Sequence, residues 1–264
     1  MYPLFFGSKR QLYGVYHMPD PALAKPLGVV LCQPVFHEQG AARRAVRALA
    51  DRFAEAGIHA LRFDYSGAGD SQGEPSDHSL EDWIDDVGGA TDEFATSRGL
   101  DSVGLVGLRF GASLAARAAA NRADVPFLVL WEPIVDGAPW VQSLRDLQNA
   151  WVAHETDQRP GARKAATPDE VCGHPLPPGL ANQLSAHHLC RESPPGVDRV
   201  LIIEESECDQ MGALVQKLDE SGSRVERRNL DGGRVWHREF DAEQAQVPRD
   251  LLVQIVDWAS EEIR

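Results

Sequence analysis

The sequence predicts an α/β protein with a mostly parallel central sheet and helices on both faces. Two observations predict this class. Short continuous apolar runs are typical of strands buried on both faces, and they alternate with amphipathic helical segments. Such alternation implies parallel pairing, right-handed crossovers and three layers. A chain of 264 residues with 43% hydrophobic residues is long enough for one domain with an insertion.

The spacing of apolar residues, and residues that begin or end helices, predict the strands and helices of the first half. Apolar runs at 4–7 and 11–17 flank a short polar turn and predict an opening hairpin. Gly57 ends the first helix, and Ser79 with Asp82 forms a variant capping box at the start of the second. The predicted strands are 27–32, 58–63 and 103–106, and the predicted helices are 41–56, 79–98 and one beginning at Ala112.

The second half contains an interruption between two strands. Residues 138–196 hold many Pro, Gly and His residues with only a patchy helical pattern, so we expect an inserted cap there. The core then consists of 1–137 and 197–264. Its later elements are strands at 126–131, 200–203 and 224–230 and a closing helix at 249–263.

Composition limits the classes of partner. A formal net charge of −14 opposes binding to nucleic acid or to anionic membrane surfaces, so a small-molecule ligand is expected; homo-oligomer formation is left open. The four cysteines show no CxxC pair, so we expect ordinary thiols, no metal and no cofactor. The N-terminus has no basic leader, and no stretch approaches the ~20 apolar residues of a membrane span, so the expected location is the cytoplasm.

The segment Gly107-Leu108-Arg109-Phe110-Gly111 joins a predicted strand to a predicted helix. A tight turn with flanking glycines places its central side chain above the carboxyl edge of the sheet. Serine, cysteine or aspartate at this position would be a nucleophile. Arg109 is permanently protonated and is therefore not one.

Three further segments are distinctive together with this turn, which extends to Ala112: Cys32 to Glu38, Leu61 to Ser71 and Leu130 to Gly137. With these residues the chain resembles a known family, the α/β hydrolases of the serine aminopeptidase type, and within them the exosortase A system-associated hydrolases. The resemblance implies the α/β-hydrolase fold. In the subgroup, arginine at the elbow is expected to be usual.

The resemblance also implies positions for an acid and a histidine that follow the elbow in chain order. Asp209 comes after the strand at 200–203, and His237 comes after the last strand. Together with Arg109 they would form a degenerate catalytic triad. Glu207 is an alternative acid, and a non-catalytic packing role for Asp209 and His237 remains the competing interpretation.

Arg109 has two compatible interpretations. Its planar charged fork could bind a carboxylate, a phosphate or a developing oxyanion above the sheet edge. Alternatively, it forms an internal ion pair with Glu38 or Asp136, which would neutralise a charge that is costly to bury alone. A ligand carboxylate could displace such a partner.

Other residues are predicted to line a substrate site. The N–H of Phe110 and that of Val35 or Phe36 are expected oxyanion donors, since Pro34 has none. His37 and Glu38 either line the pocket or lie in a solvated loop. Trp131 either walls the pocket or packs in the core.

These residues predict hydrolysis of an ester, thioester or amide by water that His237 activates, with Asp209 orienting the base and Arg109 stabilising the oxyanion. Whether the chain is an enzyme is left open. A non-catalytic binding or accessory protein of a biosynthetic or exopolysaccharide and exosortase pathway is the alternative. A lyase-like enzyme on the same fold is a third possibility.

Overall fold

The computed structural model describes residues 1–7, 11–120, 122–158, 169–205, 209–230, 234–237 and 247–261. The strands are β1 Tyr2–Phe6, β2 Leu12–His17, β3 Leu27–Cys32, β4 His59–Phe63, β5 Ser102–Leu108, β6 Phe127–Trp131, β7 Glu170–Val171, β8 His174–Pro175, β9 Arg199–Glu204 and β10 Arg224–Asn229. The helices are α1 His37–Glu55, α2 Leu80–Arg98, α3 Phe110–Ala119, α4 Gly137–Gln158, α5 Pro178–Ala186, α6 Asp209–Glu220 and α7 Arg249–Ser260, with a short 3-10 helix at Pro75–Asp77.

Within the described ranges, one eight-stranded sheet has the order β1-β2-β4-β3-β5-β6-β9-β10. β2 pairs antiparallel with both β1 and β4. The other neighbouring pairs of this sheet are parallel. The predicted α/β-hydrolase fold, with a mostly parallel sheet between helices, is therefore confirmed.

The sheet separates two apolar cores. Alternate residues of a strand point to opposite faces, so Val30 joins one cluster while Val29 and Leu31 join the other. The first cluster includes side chains of α2, α3 and α6, and the second includes those of α1 and α7. Burial on both faces explains why the central strands are continuous apolar runs.

The predicted start of α2 is confirmed at atomic detail. The backbone N–H of Ser79 donates to Asp82 Oδ2 at 2.7 Å, and the N–H of Asp82 donates to Ser79 Oγ at 3.2 Å. These two bonds satisfy donors that a helix start leaves without intrahelical acceptors. At the other end, Gly99 has a left-handed φ of 62° and ends the helix.

Two predicted helix starts are wrong, one by four residues and one by two. α1 begins at His37 rather than at residue 41, and α3 begins at Phe110 rather than at Ala112. In α1 the early residues are polar, and Glu38 is nevertheless buried, so the apolar pattern begins later than the helix does. The alternative that His37 and Glu38 lie in a solvated loop is therefore wrong.

The segment between β6 and β9 contains α4, the β7–β8 hairpin and α5. Apolar side chains of α4 and α5 belong to the first core cluster, so this segment packs on the same face as α2 and α3. The division into a core and a cap at 138–196 remains a prediction. Residues 159–168 of this segment lie outside the described ranges.

None of the helices in the described ranges is both long and apolar enough to cross a membrane. In the same ranges, no three or more His, Cys, Asp or Glu side chains are grouped so that they could hold a metal ion. Cys32, Cys172 and Cys190 are free thiols, and Cys208 lies outside the described residues.

Candidate active site

The turn from β5 to α3 holds Arg109 in a strained backbone conformation, with φ 57° and ψ −128°. Non-glycine residues rarely adopt a positive φ, and such strain is concentrated at functional sites. The N–H of Arg109 donates to Trp131 O on β6 at 2.9 Å, and the Arg109 carbonyl accepts the N–H of Ala112 at 3.0 Å. The turn is thus fixed to the neighbouring strand and to its own helix.

The two flanking glycines are required by close packing of backbone. A Cβ atom on Gly107 would lie 2.3 Å from the Cα of Ala112, and one on Gly111 would lie 2.2 Å from the carbonyl oxygen of Gln33. Backbone atoms cannot rotate away as a flexible side chain could. This arrangement explains both glycines of the predicted elbow and brings α3 directly against the end of β3.

Gly111→Ala is expected to lower the free energy of unfolding by about 2–3 kcal/mol, because the new methyl group overpacks against backbone. Gly212→Ala is the matched control, since a Cβ there meets nothing within 4 Å. Urea unfolding of both variants measures the difference. A Gly111→Ala protein as stable as Gly212→Ala would contradict the close approach.

A second strained residue lies opposite the elbow. Phe36 precedes α1 with φ 57° and ψ −140°, nearly the conformation of Arg109 before α3. The first N–H groups of each helix have no intrahelical acceptor, and the positive end of each helix dipole lies there. Val35, Phe36 and Phe110 are all buried. These backbone donors are therefore suited to a carbonyl oxygen or an anion.

Arg109 forms an ion pair with Glu38 in the first turn of α1. Its Nε and Nη2 both donate to Glu38 Oε1, each at 3.2 Å. The side chain of Arg109 is 18% exposed and that of Glu38 is 5% exposed. Of the two partners that the sequence left open, Glu38 is thus the one that Arg109 contacts.

Burial raises the pKa of Glu38, while the nearby Arg109 guanidinium acts in the opposite direction. The indole N–H of Trp140 and the charge of His237 also lower this pKa. His237 is therefore electrostatically coupled to Glu38. Because its burial is nearly complete, Glu38 depends on these neighbours to remain ionised.

Two further residues, neither of them predicted as a site residue, lie near Arg109. The guanidinium carbon lies 4.9 Å from the ring centroid of Trp236, a cation–π contact. Burial raises the pKa of Glu132, and the charge of Arg109 lowers it. Glu132 directly follows β6 and Trp236 directly precedes His237. Their place in the sequence could have indicated this position, because the carboxyl ends of neighbouring parallel strands lie at one edge of the sheet.

The predicted contact between Asp209 and His237 is not formed in the described residues. Asp209 is the exposed first residue of α6, and His237 is exposed in the short segment 234–237. No hydrogen bond or ion pair joins these two side chains, although both are described. Glu207, the alternative acid, lies outside the described residues.

The remaining predicted residues have varied positions. His37 is the half-buried first residue of α1. Trp131 is 1% exposed in the core cluster that α1 and α7 cover, which fits the core-packing alternative. Asp136 Oδ1 accepts the N–H of Ala138 at 3.0 Å at the start of α4. Asp136 is thus engaged in helix capping, and Arg109 pairs with Glu38.

Aromatic side chains join the elbow to the segment between β6 and β9. The ring of Phe110 stacks on Trp140 of α4 with centroids 4.6 Å apart and planes at 11°. Phe36 contacts both Trp140 and His174, each with centroids 6.2 Å apart. The backbone donors at the starts of α1 and α3 therefore lie against apolar aromatic rings, where electrostatic interactions are stronger than in water.

His187 is part of the same packing and should make the protein sensitive to acid. Its Nε2 lies 3.2 Å from Ile134 O, and its ring packs edge-on to Phe110. Burial lowers the pKa of His187 to about 4. Its buried Nδ1 has no hydrogen-bond partner in the described structure, so protonation would create a donor without an acceptor.

The free energy of unfolding is therefore expected to fall as pH falls from 6.5 to 4. The unfolded chain takes up a proton on His187 in this window and the folded chain does not, which amounts to about 3 kcal/mol in total. Urea titrations at several pH values measure the effect. His187→Gln should flatten this part of the profile, and His154→Gln on the exposed side of α4 should not. Equal profiles for the two variants would contradict the role of His187.

Comparisons with known proteins agree with this geometry. The family model described as "Serine aminopeptidase, S33" matches residues 25–177. Est1E from Butyrivibrio proteoclasticus, solved with ferulic acid bound, is 17% identical with a TM-score of 0.66, covering 96% of this chain and 95% of that chain. The Pyrococcus furiosus esterase Pf2001 is 12% identical with a TM-score of 0.64, and the match covers 95% of this chain and 85% of that chain. The enol-lactonase from Burkholderia xenovorans LB400 is 17% identical with a TM-score of 0.57, and the match covers 94% of this chain and 97% of that chain.

At such identities the similarity to solved structures shows the fold alone. A search of curated proteins finds no match to the sequence. The family match is more specific, because residues 25–177 span more than half of the 264-residue chain and include β3, α1, the elbow and α3. The chain therefore belongs to the α/β hydrolases of the serine aminopeptidase, S33 family.

Proposed function

We propose that this protein binds the anionic group of a small acyl-bearing molecule at Arg109 and hydrolyses its ester, thioester or amide bond without a covalent intermediate. The observation that carries the proposal is the strained turn that holds Arg109 over the sheet edge, beside the backbone donors at the starts of α1 and α3. A positive side chain beside the N–H groups of helix starts suits an anion or a developing oxyanion. Arg109 replaces the nucleophile of such a site.

In the proposed reaction, His237 accepts a proton from water while the water oxygen attacks the acyl carbon. The carbonyl oxygen becomes an oxyanion, which the N–H of Phe110 and the guanidinium of Arg109 stabilise. The bond to the leaving oxygen, sulfur or nitrogen then breaks, and His237 returns the proton to that atom. The products are a carboxylic acid and an alcohol, thiol or amine. No step is assigned to Asp209, which does not contact His237.

A panel of p-nitrophenyl acyl esters, an acyl thioester and an acyl anilide, together with a fluorophosphonate probe, tests this proposal. We expect hydrolysis without labelling by the probe, because no side chain at the elbow forms an acyl intermediate. A serine esterase of known reactivity is the positive control for labelling. Covalent labelling of this protein would contradict the reaction described above.

A non-catalytic role has separate support. Arg109 is already paired with Glu38, and no hydrogen bond joins the described side chains of Asp209 and His237. Both observations favour a binding or accessory protein, such as one in an exopolysaccharide and exosortase pathway. This candidate predicts that carboxylate ligands bind at Arg109 while no member of the substrate panel is hydrolysed. Turnover that depends on His237 would exclude it.

A further inference from the structure

The ion pair at the elbow leaves one oxygen of a buried carboxylate without a hydrogen bond. Both N–H donors of Arg109 bind Oε1 of Glu38, although an arginine and a carboxylate often pair through two oxygens. Glu38 Oε2 is buried and has no hydrogen-bond partner among the described residues. A buried acceptor without a donor is destabilising, so this oxygen favours any donor that reaches it.

A buried donor lies beside the same carboxylate. Trp140 Nε1 also has no hydrogen-bond partner in the described structure, and Trp140 is 5% exposed. Its indole N–H lies near enough to the Glu38 carboxyl to lower the pKa of that group. An unmatched donor and an unmatched acceptor are thus neighbours. A hydroxyl group can serve both, since its oxygen accepts while its hydrogen is donated.

Nη1 of Arg109 is the third polar atom beside Glu38 Oε2 and Trp140 Nε1. Nε and Nη2 are engaged with Glu38, and no hydrogen bond joins Nη1 to the described part of the chain. An anion bound at Nη1 would lie a few ångströms from Glu38 Oε2. Two carboxylates at that separation repel each other, and a donor on the ligand between them relieves the repulsion.

We propose that Glu38 and Trp140 select ligands that carry a hydroxyl group on the carbon next to the carboxylate. In this arrangement the carboxylate binds Arg109, the hydroxyl donates to Glu38 Oε2, and the hydroxyl oxygen accepts from Trp140 Nε1. This inference rests on the proposed anion site at Arg109 and narrows its ligand class to 2-hydroxy acids. It does not depend on whether the ligand is then hydrolysed.

The neighbouring Cys172 does not offer an anionic alternative to the ligand. Its Sγ is buried at the turn between β7 and β8, and its backbone N–H donates to Gln148 Oε1 at 2.6 Å. Burial and the charge of Glu38 raise the pKa of Cys172 to about 11. The thiol is therefore neutral at pH 7 and does not supply a negative charge beside Arg109.

Three ligands that differ in one group test the inference: hexanoate, 2-hydroxyhexanoate and 2-methoxyhexanoate. The methoxy compound keeps the oxygen acceptor and lacks the donor. Calorimetric titration of the unmodified protein at pH 7 should give an affinity about 10-fold higher for the hydroxy than for the methoxy compound. This comparison needs no variant and is unaffected by a loss of folding.

Variants then assign the effect to residues. Glu38→Gln should bring the ratio of the two affinities close to one, because its amide can accept from a hydroxyl and donate to a methoxy oxygen. Trp140→Phe should weaken both oxygen-bearing ligands by a similar factor. Glu55→Gln, an exposed change at the end of α1, is the control and should keep the full ratio.

Equal affinities of the hydroxy and methoxy compounds for the unmodified protein would overturn this inference, since water would then satisfy Glu38 Oε2. If the hydroxy and methoxy compounds bind equally and Arg109→Gln weakens the binding of each, the anion site at Arg109 is supported and the selection by Glu38 is wrong. If hexanoate and both derivatives fail to bind, the anion site itself is wrong. A 10-fold preference retained in Glu38→Gln would place the donor contact elsewhere and overturn the role of Glu38.

Discussion

Replacing Arg109 by glutamine is expected to weaken the binding of carboxylate ligands by about 30- to 100-fold, which is the usual scale for a charge-assisted hydrogen bond in a partly buried site. The change removes the guanidinium that binds the ligand anion. It also removes the cation on which the ionisation of the buried Glu38 carboxyl depends most. Calorimetric titration with hexanoate or 2-hydroxyhexanoate measures the loss.

The same substitution should destabilise the fold by about 2–4 kcal/mol, because it leaves a buried charge without its partner. The double variant Arg109→Gln with Glu38→Gln separates the two effects. It should recover most of the free energy of unfolding, since neither charge remains, but it should not recover affinity for the anion. A single variant that binds carboxylates as tightly as the unmodified protein would contradict the anion site.

Replacing His237 by alanine is expected to lower kcat by about 10²- to 10⁴-fold, the usual contribution of a general base. The affinity for a carboxylate ligand should change little, because Arg109 carries that contact. His237 is exposed, so its removal should also leave the stability nearly unchanged. Steady-state kinetics on the best substrate of the panel, with a parallel titration of ligand, measures both quantities.

His154→Gln is the control for the loss of a histidine, since His154 is exposed on α4, outside the proposed reaction. Turnover that is unchanged in His237→Ala would remove this residue from the mechanism. Turnover and ligand affinity that fall by the same factor would instead assign His237 to binding. Only a selective loss of kcat agrees with proton transfer.

The sheet and the elbow could be predicted because their sequence patterns have few structural alternatives. Strands such as β3 and β6 are buried on both faces, which requires continuous apolar runs. Gly107 and Gly111 are fixed by backbone atoms less than 2.5 Å from where a Cβ would be. Local sequence patterns were therefore sufficient to predict the central strands and the elbow.

The partner of Arg109 could not be predicted, because the choice between Glu38 and Asp136 depends on packing between distant elements. Glu38 lies 71 residues from Arg109 along the chain, and its burial comes from placing the first turn of α1 beside α3. Asp136 is engaged locally in capping α4. A sequence shows that both carboxylates exist but not which of them has a free oxygen.

Three helices, α4, α5 and α6, are not predicted from the sequence, and the reasons differ. α4 and α5 lie almost entirely within 138–196, where the Pro, Gly and His content predicts a cap with only a patchy helical pattern. Pro139 falls in the first turn of α4, where proline is tolerated. α6 has Met211, Leu214 and Leu218 at helical spacing on its buried side, which is a signal that the sequence does contain.

A crystal structure with bound 2-hydroxyhexanoate would show whether Arg109 binds an anion. We expect the ligand carboxylate about 3 Å from Nη1 of Arg109, a hydrogen-bond distance, with its hydroxyl on Oε2 of Glu38. A ligand bound elsewhere, with Arg109 still paired only to Glu38, would contradict the claim that this arginine replaces a nucleophile with an anion site.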